Sequence, residues 1–332
     1  MKKFLVVLSV LVLVPFFALA FTVTMVTDTG GLGDQSFNDG TWRGVEMIAE
    51  EFDDVIAQVV QSNEQADYVP NLSKAAEQSD VVLSVGFMMT DALLQVAPQY
   101  PNVKFIGIDF DLSAEGLPNV HTYTFKEHES AFLAGFLAAA MTKTDTVGFI
   151  GGIPVPAVVK FQIGYQAGVK YYNKIHGKNV QVLVGYTQNF TDSQKGKTMT
   201  EAQYSQGADI VFAAAGLCGL GTFEAAKAYG EGFYAIGVDV DQDHLAEGKI
   251  LTSAMKGITQ SAYMGVLDAY EGYFEAGHDE LGFAENGVQL SEMKYTKEMI
   301  PEWLLVELAG LESLAKSGDF LVPASEEELE VF

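Results

Sequence analysis

The sequence contains little of what a reactive or metal-dependent centre requires. Cys218 is its only cysteine, so no internal disulfide is available. Its apolar, glycine-rich context favours a buried structural thiol over a catalytic one, which would need a base partner. No G-x-S-x-G turn or H-E-x-x-H motif occurs, and the histidines lack metal-ligand spacing. We therefore expect no catalytic residue, no metal and no cofactor. The scattered histidines are His121, His128, His176, His244 and His278.

Basic residues are also scarce. Arg43 is the only arginine, and 19 Lys and Arg residues stand against 44 Asp and Glu residues. Cleavage of a leader that contains Lys2 and Lys3 would leave 17 basic residues and a net charge of −27. Such a surface repels nucleic-acid polymers and anionic membranes. It says little about a small ligand, and solubility alone is a sufficient reason for the acidity.

Apolar runs long enough to cross a bilayer are absent after the first twenty residues. Lys2 and Lys3 precede an apolar stretch over residues 4–19, and residues 18–20 have the A-x-A pattern of a cleavage site. An uncleaved anchor is the alternative, but the stretch is barely long enough and Pro15 interrupts it. We expect residues 1–20 to be a signal peptide that is removed on export.

What the sequence does contain is a long alternation of apolar strands and helices. Its 332 residues suit two lobes, and its 33 glycines suit many tight turns. Short continuous apolar strands between helices predict parallel sheets covered on both faces. Strands are predicted at 21–28, 55–61, 80–86, 103–109, 146–152, 180–186, 208–216 and 233–239. Helices are predicted at 40–52, 67–77, 90–97, within 121–142, and at 158–175, 193–206 and 219–230. The two series predict two doubly wound, Rossmann-like α/β lobes.

Several predicted strands finish on a polar residue or a glycine. Ligands of open parallel sheets bind outside the carboxyl ends of the strands, where the strand order reverses. Two facing sheets would bring these ends to one cleft. A carboxylate at a strand end is often only a helix cap, but the recurrence of three aspartates at equivalent places favours binding. The strand-end residues are Asp28, Gly86, Asp109, Gly216 and Asp239.

The stretch TDTGGLGDQSFNDG, residues 27–40, joins the first predicted strand to the first helix. It matches neither G-x-G-x-x-G nor G-x-x-x-x-G-K-[ST], and Asp28 and Asp34 would repel a phosphate. Asp28 offers acceptors, Asn38 offers a donor and an acceptor, and Phe37 offers a flat apolar face. This set suits a neutral heterocycle with N–H donors. The alternative is that Phe37 is an ordinary core residue, although its polar neighbours argue against that.

Extended to TDTGGLGDQSFNDGTWRGVE, the same stretch resembles the start of the basic membrane protein family (PnrA-like), purine-nucleoside-binding lipoproteins of ABC importers. The resemblance covers the chain from about Phe21 to Phe274, and the combined set of motifs is specific. Members usually carry a cysteine just after the signal peptide, whereas position 21 is Phe, so we expect an exported, unanchored periplasmic or cell-surface protein. The further motifs, in order, are SVGFMMTDAL, VKFIGIDFD, EHESAFLAGFLAAAMTKTDTVGFIGG, FQIGYQAGVKYYN, ADIVFAAAGLCGLGTFEAAK, AIGVDVDQ and ILTSAMKG.

The resemblance implies a type I periplasmic-binding-protein fold, in which two lobes joined by a hinge close over a nucleoside. The first lobe is expected at 21–124 plus 257–282, and the second at 125–256 plus 283–332. The crossovers between them are expected near Phe125, Lys256 and Phe283.

The resemblance also implies a role for each residue that matches the family's site. Asp28 and Asn38 would hold the edge of the base, while Phe37 and Phe190 would stack on its two faces. Asp109, Asp239 and Lys256 would bind the ribose hydroxyls, Gly216 would let the backbone approach closely, and Gly86 and Phe87 would line the cleft near the sugar.

The chemistry of the residues agrees with a sugar subsite. Carboxylates accept hydrogen bonds from vicinal hydroxyls and an ammonium donates to them. Lys256 would offset the cost of burying Asp109 and Asp239 together. A solvated surface lysine is the alternative, but Lys256 directly follows an apolar strand. No cluster of arginines is present to meet the phosphate of a nucleotide.

The predicted function is therefore a monomeric binding protein that delivers guanosine, inosine or adenosine to the permease subunits of an ABC importer. A riboflavin- or sugar-binding protein of the same fold is one alternative; a flavin would need a longer slot, and a sugar would need no base-edge set. A nucleoside hydrolase that uses Asp109 and Asp239 as a carboxylate pair is another. No aspartate cluster of a calcium-dependent hydrolase occurs, so we expect binding without turnover.

Overall fold

The computed structural model describes residues 20–332, so the predicted signal peptide, except for its last residue, lies outside the described residues. Within this range the chain forms two six-stranded sheets, each covered by helices on both faces. No helix in residues 20–332 is long and apolar enough to cross a membrane. The two-lobed α/β fold predicted from the alternation of strands and helices is confirmed.

The first sheet forms the core of the first lobe. Its strand order is β11-β5-β4-β3-β1-β2, and every neighbouring pair is parallel. Helix α8 packs against α1 on one face of this sheet. The strands are β1 (Phe21–Val26), β2 (Val55–Val60), β3 (Val81–Val85), β4 (Lys104–Ile108), β5 (Val120–Phe125) and β11 (Gly277–Leu281). The helices are α1 (Phe37–Glu51), α2 (Tyr68–Ala76), α3 (Thr90–Val96) and α8 (Ile258–Glu271).

The second sheet repeats this order as β12-β10-β9-β8-β6-β7, with only the edge strand β12 antiparallel to its neighbour. Helix α4 follows a strand of the first sheet but packs against α5 of the second lobe. The strands are β6 (Thr146–Gly151), β7 (Gln181–Tyr186), β8 (Ile210–Ala214), β9 (Tyr234–Asp239), β10 (Ile250–Lys256) and β12 (Val288–Leu290). The helices are α4 (Glu127–Met141), α5 (Pro156–His176), α6 (Ser193–Ser205), α7 (Leu217–Tyr229), α9 (Glu302–Ser317) and α10 (Glu326–Val331).

The described chain crosses between the sheets at three places: from β5 to α4, from β10 to α8, and from β11 to β12. In each sheet the strand order reverses beside the first strand, between β1 and β3 and between β6 and β8. These reversals are where open parallel sheets bind ligands, so the fold places two such points on one cleft.

The first helix differs from its prediction, because α1 begins at Phe37 rather than at Gly40. The side chain of Asp34 accepts from the backbone N–H groups of Ser36, Asn38 and Asp39 at 2.8–3.1 Å. These bonds satisfy donors that a helix start leaves free. Phe37 and Asn38 therefore stand on the first turn of a helix, and not in a loop.

Candidate functional site

A single cleft between the two sheets is lined by all ten residues that the sequence singled out. It contains about 580 Å³ of space, solvent at its mouth included. The predicted residues in its lining are Asp28, Phe37, Asn38, Gly86, Phe87, Asp109, Phe190, Gly216, Asp239 and Lys256.

Two aspartates occupy equivalent ends of β4 and β9 in backbone conformations that non-glycine residues rarely adopt. Asp109 has φ 73° and Asp239 has φ 66°. Such conformations cost on the order of 1–3 kcal/mol each and cluster at binding sites. Gly86 and Gly216, at the ends of β3 and β8, also have positive φ. In each sheet, therefore, one aspartate with a strained backbone conformation places its carboxylate in the cleft.

The loop between β1 and α1 (residues 27–36) presents a fixed polar edge. The Nδ2 of Asn38 donates to Asp28 Oδ1 at 3.0 Å and lies 3.4 Å from Asp34 Oδ2. Because both neighbours are carboxylate oxygens, the amide orientation is fixed, and Asn38 Oδ1 remains buried without a partner among the described residues. Asp28 also accepts from the N–H of Gly30 at 2.8 Å. A Cβ on Gly86 would lie 2.9 Å from Asp28 Oδ2, so this position favours glycine.

Burial dominates the electrostatics of this edge. It raises the pKa of Asp28, against the opposing effect of the hydrogen bonds from Asn38 and Gly30. It also raises the pKa of Asp34 to about 6, although three backbone donors favour the charged form of that helix cap. Acceptors held in a dry environment bind donors more strongly than acceptors in water.

Lys256, the last residue of β10, is the cation of the cleft. Its Nζ lies 2.5 Å from Asp109 Oδ2, 3.6 Å from Glu127 Oε1 and 3.8 Å from Asp239 Oδ1. Burial alone would lower the pKa of Lys256, but Asp109, Asp239 and Glu127 together raise it, so the ammonium stays charged. The Nζ also lies 4.7 Å from the centre of the Phe37 ring. Lys256 is buried, so the alternative of a solvated surface lysine is wrong.

The second lobe supplies an apolar wall opposite the polar edge. Val155, Val158 and Phe161 line the cleft from the start of α5. Phe190 packs against Gly152, where a Cβ would lie 2.1 Å from the Phe190 ring, and it approaches Gly30 of the first lobe. Phe37 is half-buried, and it both lines the cleft and packs against the hydrophobic core, so its position fits a stacking role and a core role alike.

The two lobes touch across the cleft through hydrogen bonds between residues from opposite sheets. Ser36 Oγ donates to Asp239 Oδ2 at 2.6 Å, and Gln242 Nε2 donates to the carbonyl of Gln35 at 2.8 Å. With the Lys256–Asp109 pair, these contacts join the β1–α1 loop and β4 of the first lobe to β9 and β10 of the second. The lobes are therefore closed in this structure.

Sequence reasoning missed several residues of the site. Glu127 pairs with Lys256 without lining the cleft, Ser36 bonds to Asp239, and Phe161 forms part of the apolar wall. Glu127 follows the crossover from β5 in the EHES motif, which offered a signal, but its burial depends on the packing of α4 against α5. Nothing in the local sequence around Ser36 or Phe161 indicated that either would reach the cleft.

Of the residues considered for catalysis, Asp109 and Asp239 line the cleft, whereas Cys218 and His128 do not. Cys218 is buried, as predicted, with its thiol 3.4 Å from the carbonyl of Asn189. Burial raises the pKa of this thiol, which disfavours the reactive thiolate. Burial also lowers the pKa of His128 to about 3. Within residues 20–332, no group of three or more His, Cys, Asp and Glu side chains is arranged to hold a metal ion.

Two facing parallel sheets with a slot between the carboxyl ends of their strands define a class, the solute-binding proteins with the type I periplasmic-binding-protein fold. A solved ABC transporter solute-binding protein from Aeropyrum pernix K1 superposes with a TM-score of 0.84 and 29% identity, covering 94% of this chain and 96% of that chain. A solute-binding protein from Conexibacter woesei DSM 14684 shares the fold, with a TM-score of 0.71 and 23% identity over 92% of this chain and 99% of that one.

The chain belongs to the family of PnrA-like ABC transporter substrate-binding proteins, which matches residues 21–309. Basic membrane protein A1 of Borrelia garinii subsp. bavariensis is 34% identical, over 93% of this chain and 90% of the relative. The CD4+ T-cell-stimulating antigen of Listeria monocytogenes serovar 1/2a is 32% identical, over 91% and 88%. The predicted family is thus confirmed.

Membership of this family establishes the kind of activity. Its members and the matching solute-binding structures bind solutes and are not enzymes, so the chain is a binding protein of an ABC transport system. A small molecule is its ligand, a membrane permease is its partner, and it acts outside the cytoplasm.

Proposed function

We propose that this protein captures a purine nucleoside between its two lobes and delivers it, as a monomer, to the permease of an ABC importer. The observation that carries the proposal is the convergence of Asp109 from one lobe with Asp239 and Lys256 from the other. Both halves of the site come from one chain, so no second copy is needed to complete it.

The charged cluster suits the sugar. Asp109 Oδ1 is buried and accepts no hydrogen bond from the described residues, so it is free to accept one from a ribose hydroxyl. Lys256 donates, and its charge offsets the cost of burying carboxylates together. Vicinal hydroxyls, which are donors and acceptors at once, match this set. Hydrogen bonds to charged groups contribute roughly 1.5–3 kcal/mol each.

A second group of lining residues suits the base. Asn38 Oδ1 and the Asp28 carboxylate are acceptors with fixed orientation, and a purine with ring or exocyclic N–H groups donates to such an edge. Phe37 and Phe190 supply aromatic faces from the two lobes. Stacking of a base on an aromatic ring contributes about 1–3 kcal/mol.

The charge of the lining disfavours a phosphate, and hence a nucleotide. Among the described residues that line the cleft, Lys256 is the only basic one, and carboxylates already surround it. A phosphate would approach Asp28, Asp109 and Asp239 without a free cation to meet it. We therefore expect a neutral ligand.

The proposal is tested by calorimetric titration of one preparation, stripped of ligand, with guanosine, inosine, adenosine, the free base guanine and guanosine monophosphate. At least one nucleoside is expected to bind, with guanine and the nucleotide at least tenfold weaker. Equal affinity for guanine and guanosine would remove the sugar role of Asp239 and Lys256.

Mass spectrometry of the ligand retained after native purification gives an independent answer. A nucleoside is expected. A flavin or a free sugar would contradict the proposal and favour the alternative ligands of this fold, and release of free base from added inosine would indicate a hydrolase.

A further inference from the structure

Glu127 is a buried carboxylate that stands next to the cleft without lining it. It lies on the first turn of α4, two residues after the end of β5, and its side chain is only 2% exposed. Its Oε1 lies 3.6 Å from the Nζ of Lys256, and its Oε2 lies 3.8 Å from the Nζ of Lys160. Glu127 thus separates the lysine of the cleft from a second lysine on α5.

The partners of Lys256 come from different lobes. Asp239 and Glu127 stand on β9 and α4 of the second lobe, as does Lys256 itself on β10, whereas Asp109 follows β4 of the first. When the lobes separate, Asp109 moves away with the first sheet, and Glu127 and Asp239 remain. Removing the partners of a buried ammonium is strongly destabilising, and once Asp109 has moved away the second lobe still offers Lys256 two carboxylates, those of Glu127 and Asp239.

We propose that Glu127 is a positioning residue of the binding site, a carboxylate of the second lobe that pairs with Lys256 and keeps it oriented towards Asp109 and Asp239 whether the lobes are open or closed. Its effect on ligand affinity rests on the nucleoside proposal, but its pairing with Lys256 does not.

Lys160 links the surroundings of Glu127 to the hinge by charge, since its Nζ lies too far from Glu127 Oε2 for a hydrogen bond. The Nζ of Lys160 donates to the carbonyl of Phe125, the last residue of β5, at 3.0 Å and to Glu280 of β11 at 3.2 Å. Both acceptors belong to the first sheet, although Lys160 belongs to α5 of the second lobe. Lys256, Glu127 and Lys160 therefore form a row of alternating charges that begins in the cleft. The row ends at two of the crossovers between the lobes, the one after β5 and the one after β11.

The charge of Glu127 depends on its neighbours. Burial raises its pKa to about 7, against the lowering effect of Lys256 and Lys160, and Asp109 raises it further. Asp239 and Glu280 are bound to these lysines and complete the set of charges. His128, next on the helix, stays neutral because burial lowers its pKa to about 3. Without Lys256, a charged Glu127 would be strongly disfavoured, and protonating it would cost more as the pH rises.

A carboxylate near the start of a helix can also stabilise the protein through the helix dipole alone. A double-mutant cycle of Glu127→Gln and Lys256→Met separates this role from the pairing with Lys256. The cycle is measured on ligand-free protein by thermal unfolding at pH 5.5 and pH 8.5. Because Lys256→Met leaves Glu127 without its partner, adding Glu127→Gln should restore several degrees of melting temperature, and more at pH 8.5 than at pH 5.5. Glu224→Gln, which removes an exposed partner of Lys227 in the same lobe, should restore none.

The ligand arm uses the single variant. Glu127→Gln is expected to lower guanosine affinity about tenfold, while Glu224→Gln leaves it unchanged. If the two substitutions have additive effects on stability at both pH values, the pairing is absent and the proposal is wrong. If the cycle shows coupling but wild-type protein binds no nucleoside, the function proposed for the cleft fails while the pairing stands. If wild type binds and Glu127→Gln binds equally well, Glu127 does not position Lys256 for the ligand.

Discussion

The two lobes share a strand order and the placement of their strand-end residues, yet the connections after their first strands line the cleft with different side chains. Gly86 and Asp109 of the first lobe have counterparts in Gly216 and Asp239 of the second, all with positive φ. The difference lies after the first strand of each sheet. In the first lobe this connection, residues 27–36, carries carboxylates and leads to Asn38. In the second lobe the equivalent connection, residues 152–155, is shorter and leads into an apolar helix start.

This difference shows how one architecture makes an asymmetric site. The shared strand ends supply one carboxylate from each sheet to the cleft, and the two unlike connections supply a polar edge on one side and an apolar wall on the other. Lys256 adds a second asymmetry, since it ends β10 while the equivalent strand β5 ends on Phe125.

The largest effect is expected from Lys256→Met, which removes the cation that holds the two strand-end aspartates together. Three buried carboxylates then lose their partner, and breaking a buried ion pair costs about 3–5 kcal/mol. We expect a lower melting temperature and at least a hundredfold loss of nucleoside affinity, measured by thermal unfolding and calorimetry. Lys227→Met, on the exposed surface of α7, is the control. Wild-type affinity in Lys256→Met would remove the lysine from the site.

The next effect concerns the polar edge of the first lobe. Asp28→Asn keeps the size of the side chain but replaces an acceptor oxygen by a donor, so it should cost about 1.5–3 kcal/mol of binding free energy. Calorimetry with a nucleoside measures the loss. Asp111→Asn, a half-exposed aspartate outside the cleft, should bind normally. An equal loss in both variants would point to net charge instead of the edge.

A smaller effect is expected from the aromatic side chains of the cleft, Phe37 and Phe190, of which each lobe supplies one. Phe37→Ala should weaken nucleoside binding by about 1–3 kcal/mol and leave the melting temperature of the ligand-free protein almost unchanged. Titration and thermal unfolding of the same sample measure both quantities. A large loss of stability with normal affinity would show that Phe37 is a core residue after all.

The smallest effect is expected from Ser36→Ala, which removes a hydrogen bond between the lobes without changing the lining of the cleft. Its hydroxyl can bond to water in the open protein, so the loss falls on the closed state alone. We expect about 1 kcal/mol of binding free energy, roughly a fivefold change in affinity. Ser317→Ala, on the exposed end of α9, is the control. An unchanged affinity would mean that the Ser36–Asp239 bond does not contribute to closure.

Much of this arrangement could be predicted from the sequence because the strand ends are marked locally. Asp28, Gly86, Asp109, Gly216 and Asp239 each follow a visible apolar run, and the carboxyl ends of parallel strands meet at one edge. The short edge strands β11 and β12 were not predicted, since GHDEL is polar and VQL is only three residues long. Neither contains the apolar run or the alternation that indicates a strand.

The remaining parts of the site depend on tertiary packing. Glu127 reads as a solvated helix residue until α4 is placed against α5, and Ser36 gains its partner only when the second lobe closes on the first. The early start of α1 depends on Asp34, whose side chain bonds three backbone donors beyond the turn. Such contacts join residues that are far apart in sequence, or a side chain to the backbone a few residues away. No local sequence pattern therefore predicts them.

A ligand held by both lobes must bring them together, and solution X-ray scattering with and without nucleoside measures that closure. Because Asp28 and Asn38 belong to one lobe and Phe190 and Asp239 to the other, a saturating nucleoside should favour the closed state and reduce the radius of gyration. Asp239→Ala should reduce that compaction at the same ligand concentration. An unchanged scattering curve at saturation would contradict the claim that the ligand is bound between two moving lobes.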